Sequence, residues 1–157
     1  ENGVSKAVIF NYYEFTSLPE DAKFIAMGMD FGFTNDPTSL VGVWIKDFNL
    51  YIKEYLYRNM MTTNDIHRKL KEVVTDQIIY ADSSEPRTIE VLKRYKIYIH
   101  KDSVNAIQEF RNYKWKEDRS GKLTNTPEDN HNHITDAVRY ATYSILSKPN
   151  FGRYAIR

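Results

Sequence analysis

Twice in this chain an apolar run stops on an aspartate. Phe24-Ile25-Ala26-Met27-Gly28-Met29 ends in Asp30, and Gln77-Ile78-Ile79-Tyr80-Ala81 ends in Asp82. Runs this short, followed by turn residues, fit strands of a buried sheet. Aspartate is seldom buried without a partner. A strand that carries a carboxylate to its own end therefore asks for a cation, a hydrogen-bond network or chemistry at that end. Taken singly, each aspartate also fits a turn former or a helix cap.

The stretches between these aspartates narrow the fold. Ser39–Lys46 alternates Val41, Val43 and Ile45 with smaller residues, and Asn49–Tyr57 carries half-exposed tyrosines. The short polar Lys46-Asp47-Phe48-Asn49 between them suits a hairpin turn, so Phe24–Asp30, Ser39–Lys46 and Asn49–Tyr57 are predicted to form an antiparallel meander. Thr62-Thr63-Asn64-Asp65 supplies caps for a helix over 64–75, with Ile66, Leu70, Val73 and Val74 on its apolar face. After the Gln77–Ala81 strand, Ser83-Ser84-Glu85-Pro86 reads as a helix start, continuing to about Tyr95. Ile97-Tyr98-Ile99 is a further strand. Ser103 is placed to cap a helix over 104–113. Residues 113–126 break the helical period and suit a β-hairpin. Pro127-Glu128-Asp129-Asn130 is expected to open a last helix with the stripe Ile134, Val138, Ala141 and Ile145, stopped by Lys148-Pro149-Asn150. A meander followed by alternating helices and strands predicts an α/β domain with a sheet of mixed direction.

With 157 residues, 41% of them apolar, the chain suits one domain. Residues 24–147 are expected to form it. Residues 1–23 read as an arm or linker leading into it, with Ala7–Phe10 as a possible short strand, and 148–157 as a tail. The absence of cysteine excludes disulfides and thiolate metal sites. A net charge of +1 neither supports nor excludes a nucleic-acid partner. No apolar run approaches the roughly 20 residues of a membrane span.

A third acid joins the first two. Asp136 lies one turn beyond His133 on the last predicted helix, and residues three apart share a face. If the strands ending in Asp30 and Asp82 are neighbours, three carboxylates converge at one end of the sheet. Such a cluster repels itself and is relieved by divalent cations, and hard oxygen ligands suit Mg²⁺ or Mn²⁺. Two ions about 3.5–4 Å apart can activate a water and stabilise the leaving oxygen of a phosphodiester. The plain readings are that His133 and its neighbours only cap the helix and that Asp136 lies on its exposed side.

The stretches Gly28–Thr38, Tyr80–Arg87 and Asn132–Tyr140 resemble, in order, the three acidic motifs of the nuclease domain of large terminase subunits from tailed bacteriophages. The resemblance covers about Leu18 to Ile145. It implies a ribonuclease H-like fold and a metal-dependent endonuclease that cuts double-stranded concatemeric viral DNA during genome packaging. It further implies two divalent cations, Mg²⁺ or Mn²⁺, held by Asp30, Asp82 and Asp136, with His133 as an auxiliary ligand or positioning group. The implied partners are DNA, the ATPase domain of the same subunit, the portal and the small terminase subunit, in the cytoplasm of an infected bacterium. The arm at 1–23 resembles the connection from that ATPase domain. No phosphate-binding Gly-x-x-x-x-Gly-Lys-Ser/Thr loop occurs in the chain, so the expectation is the nuclease domain alone, as a monomer.

For DNA contact, Arg87 directly follows the second motif, and Lys114, Lys116, Arg119 and Lys122 cluster on the expected hairpin with Tyr113 and Trp115 interleaved. Glu117 and Asp118 dilute that field, and a solubilising role fits the same residues. Asp36 reads as a turn residue and Glu85 as a first-turn helix acid. Three other functions compete. Asp30-x-Gly32-x-Thr34 also resembles the phosphate turn of actin-like ATPases and sugar kinases, which need two such lobes. A ribonuclease H or junction resolvase would share the three acids. A non-catalytic DNA-docking module would use them structurally.

Overall fold

A computed structural model describes residues 7–32, 34–82 and 87–147. The elements run β1 (Tyr13–Phe15), β2 (Lys23–Asp30), β3 (Thr38–Lys46), β4 (Asn49–Arg58), α1 (Thr63–Val73), β5 (Ile79–Ala81), α2 (Arg87–Leu92), β6 (Lys96–His100), α3 (Val104–Asn112), β7 (Trp115–Glu117), β8 (Leu123–Pro127) and α4 (His133–Ser147). Six strands form one sheet in the order β1-β6-β4-β3-β2-β5, and β7 and β8 form a separate antiparallel hairpin. The meander β2-β3-β4 is antiparallel, while β5 joins β2, and β6 joins β4, in parallel. The mixed sheet predicted from element order is therefore present.

Alternation along the strands sends side chains to both faces. One face carries Ala26, Val43, Ile45, Ile52 and Ile99 against Ile134, Ala137, Val138 and Ala141 of α4. The other carries Met27, Met29, Leu40 and Leu56 against Ile66, Leu70 and Val73 of α1. Gly28 sets how closely the first layer packs. A Cβ there would stand 1.7 Å from the carbonyl oxygen of Ala137, so only glycine lets α4 lie directly on β2. The aromatic surplus is spent across the sheet. Phe24 faces Trp44, and Tyr98 lies between its register partners Tyr51 and Tyr13, with ring centroids 5.0–5.5 Å apart in these pairs.

Helix caps follow the sequence at one end of the chain and depart from it at the other. Thr62 and Asp65 form a reciprocal capping box on α1. Ser103, the expected cap of α3, makes no such bond; its hydroxyl accepts instead from the backbone N–H of Glu54, at 2.9 Å. The Glu54 carboxylate takes over, accepting from Ala106 N at 2.8 Å and Asn105 Nδ2 at 2.9 Å. The last helix starts later than expected. Pro127 is held in the hairpin opposite Trp115, and His131 has φ of 50°, outside the helical region, so α4 begins only at His133.

Residues 7–15 of the expected arm pack onto the domain. Ile9 and Phe10 enter the core, and β1 adds an edge strand parallel to β6. The Ala7–Phe10 strand reduces to a single bridge, Val8 to Lys114. Residues 1–6, the helix start at 83–86 with Glu85, and the tail at 148–157 lie outside the described residues. No helix among the described residues is long and apolar enough to cross a membrane.

Candidate metal centre

The sheet brings the two strand-terminal aspartates side by side. Strands β2 and β5 run parallel with Met29 opposite Ala81, so Asp30 and Asp82 leave the same end of adjacent strands. Asp82 has φ of 53°, a left-handed conformation that aspartate tolerates better than most residues. The turn after Asp30 is compact. Gly32 N donates to Thr38 Oγ1 at 3.1 Å, and a Cβ on Gly32 would stand 2.0 Å from the Asp36 carbonyl oxygen. Gly32 therefore serves the close packing of the turn on itself.

Helix α4 brings the other two groups. Its first residue, His133, reaches Asp30 with Nδ1 at 3.4 Å from Oδ2, and Asp36 with Nε2 at 3.7 Å from Oδ1. The imidazole is thus held between two carboxylates, its ring edge-on to Tyr57 at 6.4 Å. The Ser39 hydroxyl donates to the His133 carbonyl at 2.9 Å and ties the helix start to β3. Asp136 sits one turn on, with Arg139 Nη1 3.6 Å from its Oδ1. Asp30, Asp36, Tyr57, His133 and Asp136 line an open cleft of about 680 Å³ with the exposed ring of Phe31 at its mouth.

The electrostatics record the crowding. Burial raises the Asp136 carboxyl to about 7; Arg139 pulls it down, while Asp30 and Glu109 push it further up. Burial also raises Asp30, against the hydrogen bonds of His133 and Tyr140, with Asp82 adding to the rise. Asp82 thus adds to the rise of Asp30, and Asp30 to the rise of Asp136. Burial, followed by Asp136, Asp30 and Asp82, raises the Tyr140 hydroxyl as well. These are hard oxygen donors whose mutual repulsion a divalent cation would relieve, so the donor set fits Mg²⁺ or Mn²⁺ in kind. Among the described residues, no three His, Asp or Glu side chains are drawn tightly enough to form a ligand shell as they stand.

Comparisons with known proteins decide the fold. Residues 30–103 match the family model described as the terminase RNAseH like domain. The chain has the fold of a terminase nuclease domain. The large terminase nuclease domain of bacteriophage SPP1, solved with bound Mn, is 24% identical with a TM-score of 0.69, over 87% of this chain and 98% of that one. The nuclease of the large terminase of the thermophilic phage G20c, solved with bound magnesium, is 13% identical with a TM-score of 0.60, over 89% and 98%. A large terminase from another thermophilic bacteriophage, in complex with ADP, matches 89% of this chain at 17% identity and a TM-score of 0.69; the chain spans 45% of that subunit. No curated protein matches the chain in sequence.

The basic residues singled out from sequence lie elsewhere on this terminase-type fold. Arg87 opens α2 and lines a second cleft of about 590 Å³ with Trp115, Leu123 and Asn125 of the hairpin. Lys116, Arg119 and Lys122 are exposed on that hairpin, and Lys114 is half-buried at its base. The Asp118 carboxylate organises its turn by accepting from Ser120 N, Ser120 Oγ and Lys122 N. The aromatics interleaved with these cations face inward. Tyr113 is buried and stacks on Phe10 at 5.7 Å, and Trp115 packs against the core under Lys93. Sequence reasoning passed over Tyr57, Glu109, Arg139 and Tyr140. The last two fall inside the third acidic motif, at helical spacing from Asp136, which was the available signal.

Proposed function

We propose that this chain is a metal-dependent endonuclease that hydrolyses phosphodiester bonds of double-stranded DNA during viral genome packaging. The observation that supports the proposal is the convergence of Asp30, His133 and Asp136 on one open cleft of this fold, with Asp82 leaving the adjacent strand at the same end of the sheet and His133 between Asp30 and Asp36. Asp30, Asp82 and Asp136 are the groups that would hold the cations. Bound there, such ions would acidify a water and neutralise charge on the leaving oxygen. The protein's own part is positional. The β2 turn holds Asp30, α4 holds Asp136, and His133 fixes the Asp30 carboxylate through Nδ1. Arg139 bonds Thr88 Oγ1 at 3.1 Å through Nε, and so links Asp136 to α2.

The likeness to longer large terminases supports an ATPase domain in the same subunit, and a packaging role would bring this domain to the portal and small subunit in the host cytoplasm. DNA would be held through its phosphates, by Arg87 and by Lys114, Lys116, Arg119 and Lys122, with strong salt dependence. The test is nicking of supercoiled plasmid in Mn²⁺, set beside an RNA–DNA hybrid and a four-way junction. The duplex should be cut in preference, and Asp30→Ala and Asp136→Asn should each abolish cutting. Either variant cutting at the wild-type rate would overturn the assignment.

A further inference from the structure

We infer that Glu109 is a positioning residue of the acidic centre: its carboxylate, reaching across from α3, caps the helix that carries His133 and Asp136. The inference rests on the nuclease reading above. Glu109 is only 3% exposed. Its Oε1 accepts from Ile134 N at 2.7 Å and Thr135 N at 3.1 Å. Its Oε2 accepts from the Tyr57 hydroxyl at 3.0 Å. The first N–H groups of a helix have no partner within it and ordinarily take a side chain just upstream. Here the upstream residue, Asn132, turns its amide to Asp129. Glu109 fills the role from another element and adds a negative charge at the positive end of the helix.

This cap is one step of a relay. Glu54 of β4 caps α3 through Ala106 N, α3 presents Glu109 a turn later, and Glu109 caps α4. Tyr57, which lies on β4 as Glu54 does, closes the loop by donating to Glu109 and packing edge-on to His133. The start of α4 is therefore located against the sheet by a buried carboxylate, and the position of Asp136 relative to Asp30 follows from it. Partners that orient ligands from behind commonly change metal affinity or turnover 10–100-fold when removed.

The test titrates Mn²⁺ into the 157-residue chain by calorimetry, well below each variant's melting temperature, and follows plasmid nicking in parallel. Glu109→Ala should bind Mn²⁺ about tenfold more weakly and lose kcat by a similar factor, with KM for DNA unchanged. Glu109→Gln keeps an Oε1 acceptor for Ile134 and Thr135, and Tyr57 can reverse its bond to the new amide, so Mn²⁺ affinity should return to within about threefold of wild type. Glu109→Asp withdraws the carboxylate by one methylene and should bind Mn²⁺ more weakly than the Gln variant; it serves in place of the Ala variant should that one fail to fold. Wild-type Mn²⁺ affinity and kcat in Glu109→Ala, or in Glu109→Asp, would overturn the inference. So would a Gln variant as impaired as the Ala one. Asp136→Asn separates the two levels: if it alone loses Mn²⁺, only the role of Glu109 fails, whereas a wild-type chain that takes up no Mn²⁺ refutes the metal-nuclease reading and this inference with it.

Discussion

Replacing Gly28 by Ala isolates the contact that joins the sheet to the helix carrying His133 and Asp136. On strand propensity alone the change should help, since glycine inside a strand is worth roughly 0.5–1 kcal/mol less than alanine. The structure reverses the sign. The added methyl would meet Ala137 O at 1.7 Å, Ala137 C at 2.7 Å and Ala141 N at 3.0 Å, all backbone atoms of a packed helix. A carbon and a carbonyl oxygen rest about 3.3 Å apart, so α4 must retreat by roughly 1.5 Å. Overpacking of this kind costs on the order of 3 kcal/mol, or about 6–12 °C in Tm for a chain of this size. The retreat also carries Asp136 away from Asp30, and misplacement by about 1 Å lowers turnover on the order of a hundredfold. Urea unfolding, Mn²⁺ calorimetry and plasmid nicking read the three effects separately. A Gly28→Ala protein that equals or exceeds wild type in stability, with unchanged Mn²⁺ affinity, would refute the reasoning that β2–α4 contact sets the site.

Other consequences are simpler to check. Burial holds the Asp136 and Glu109 carboxyls at about 7 in the folded protein, against about 4 in an unfolded chain. The folded state therefore binds the extra protons between those values, and metal-free stability should fall as pH rises from about 4 to about 7. Urea midpoints without metal should be lower at about pH 7.5 than at about pH 5, and Asp136→Asn should flatten that difference; equal midpoints in wild type would contradict it. Thr62→Ala removes one half of the α1 capping box and should cost about 1 kcal/mol by urea unfolding, with Mn²⁺ affinity unchanged because α1 packs on the sheet face opposite α4. Replacing Lys114, Lys116 and Lys122 together should weaken DNA binding and flatten its salt dependence by roughly 0.9 for each phosphate no longer neutralised, measured by fluorescence anisotropy across a salt series; an unchanged slope would remove the hairpin from the DNA path.

The parts of this molecule that were legible in its sequence are those whose cause is local. The meander follows from alternation and one tight turn, at 46–49, where Asp47 indeed takes φ of 55°. Helix α1 follows from Thr62, Asp65 and a four-residue apolar stripe. Asp30 and Asp82 were conspicuous because the same local pattern, an apolar run closed by an aspartate, occurs twice. The hairpin was legible too, but not its facing. Tyr113 and Trp115 alternate with lysines as a nucleic-acid surface would, yet the partner that buries Tyr113 is Phe10, about a hundred residues away in a stretch that reads as an arm.

The start of α4 and the place of Glu109 were hidden for one and the same reason. A helix beginning at Pro127 obeys every local rule, and what displaces it is the pairing of Pro127 with Trp115 across the hairpin. Once α4 starts at His133, no residue just before it caps its first amides, and the acceptor must come from elsewhere. Glu109 provides it, from a helix on which a glutamate beside Arg111 and Asn112 reads as ordinary solvated surface. Burying that carboxylate costs free energy that burial among apolar side chains alone would not return. It is offset because the two backbone donors, Ile134 N and Thr135 N, and the Tyr57 hydroxyl are themselves groups that burial would otherwise leave unbonded. Neither partner is interpretable without the other, which is why single-residue pattern reading finds the three aspartates and passes over the group that holds one of them in place.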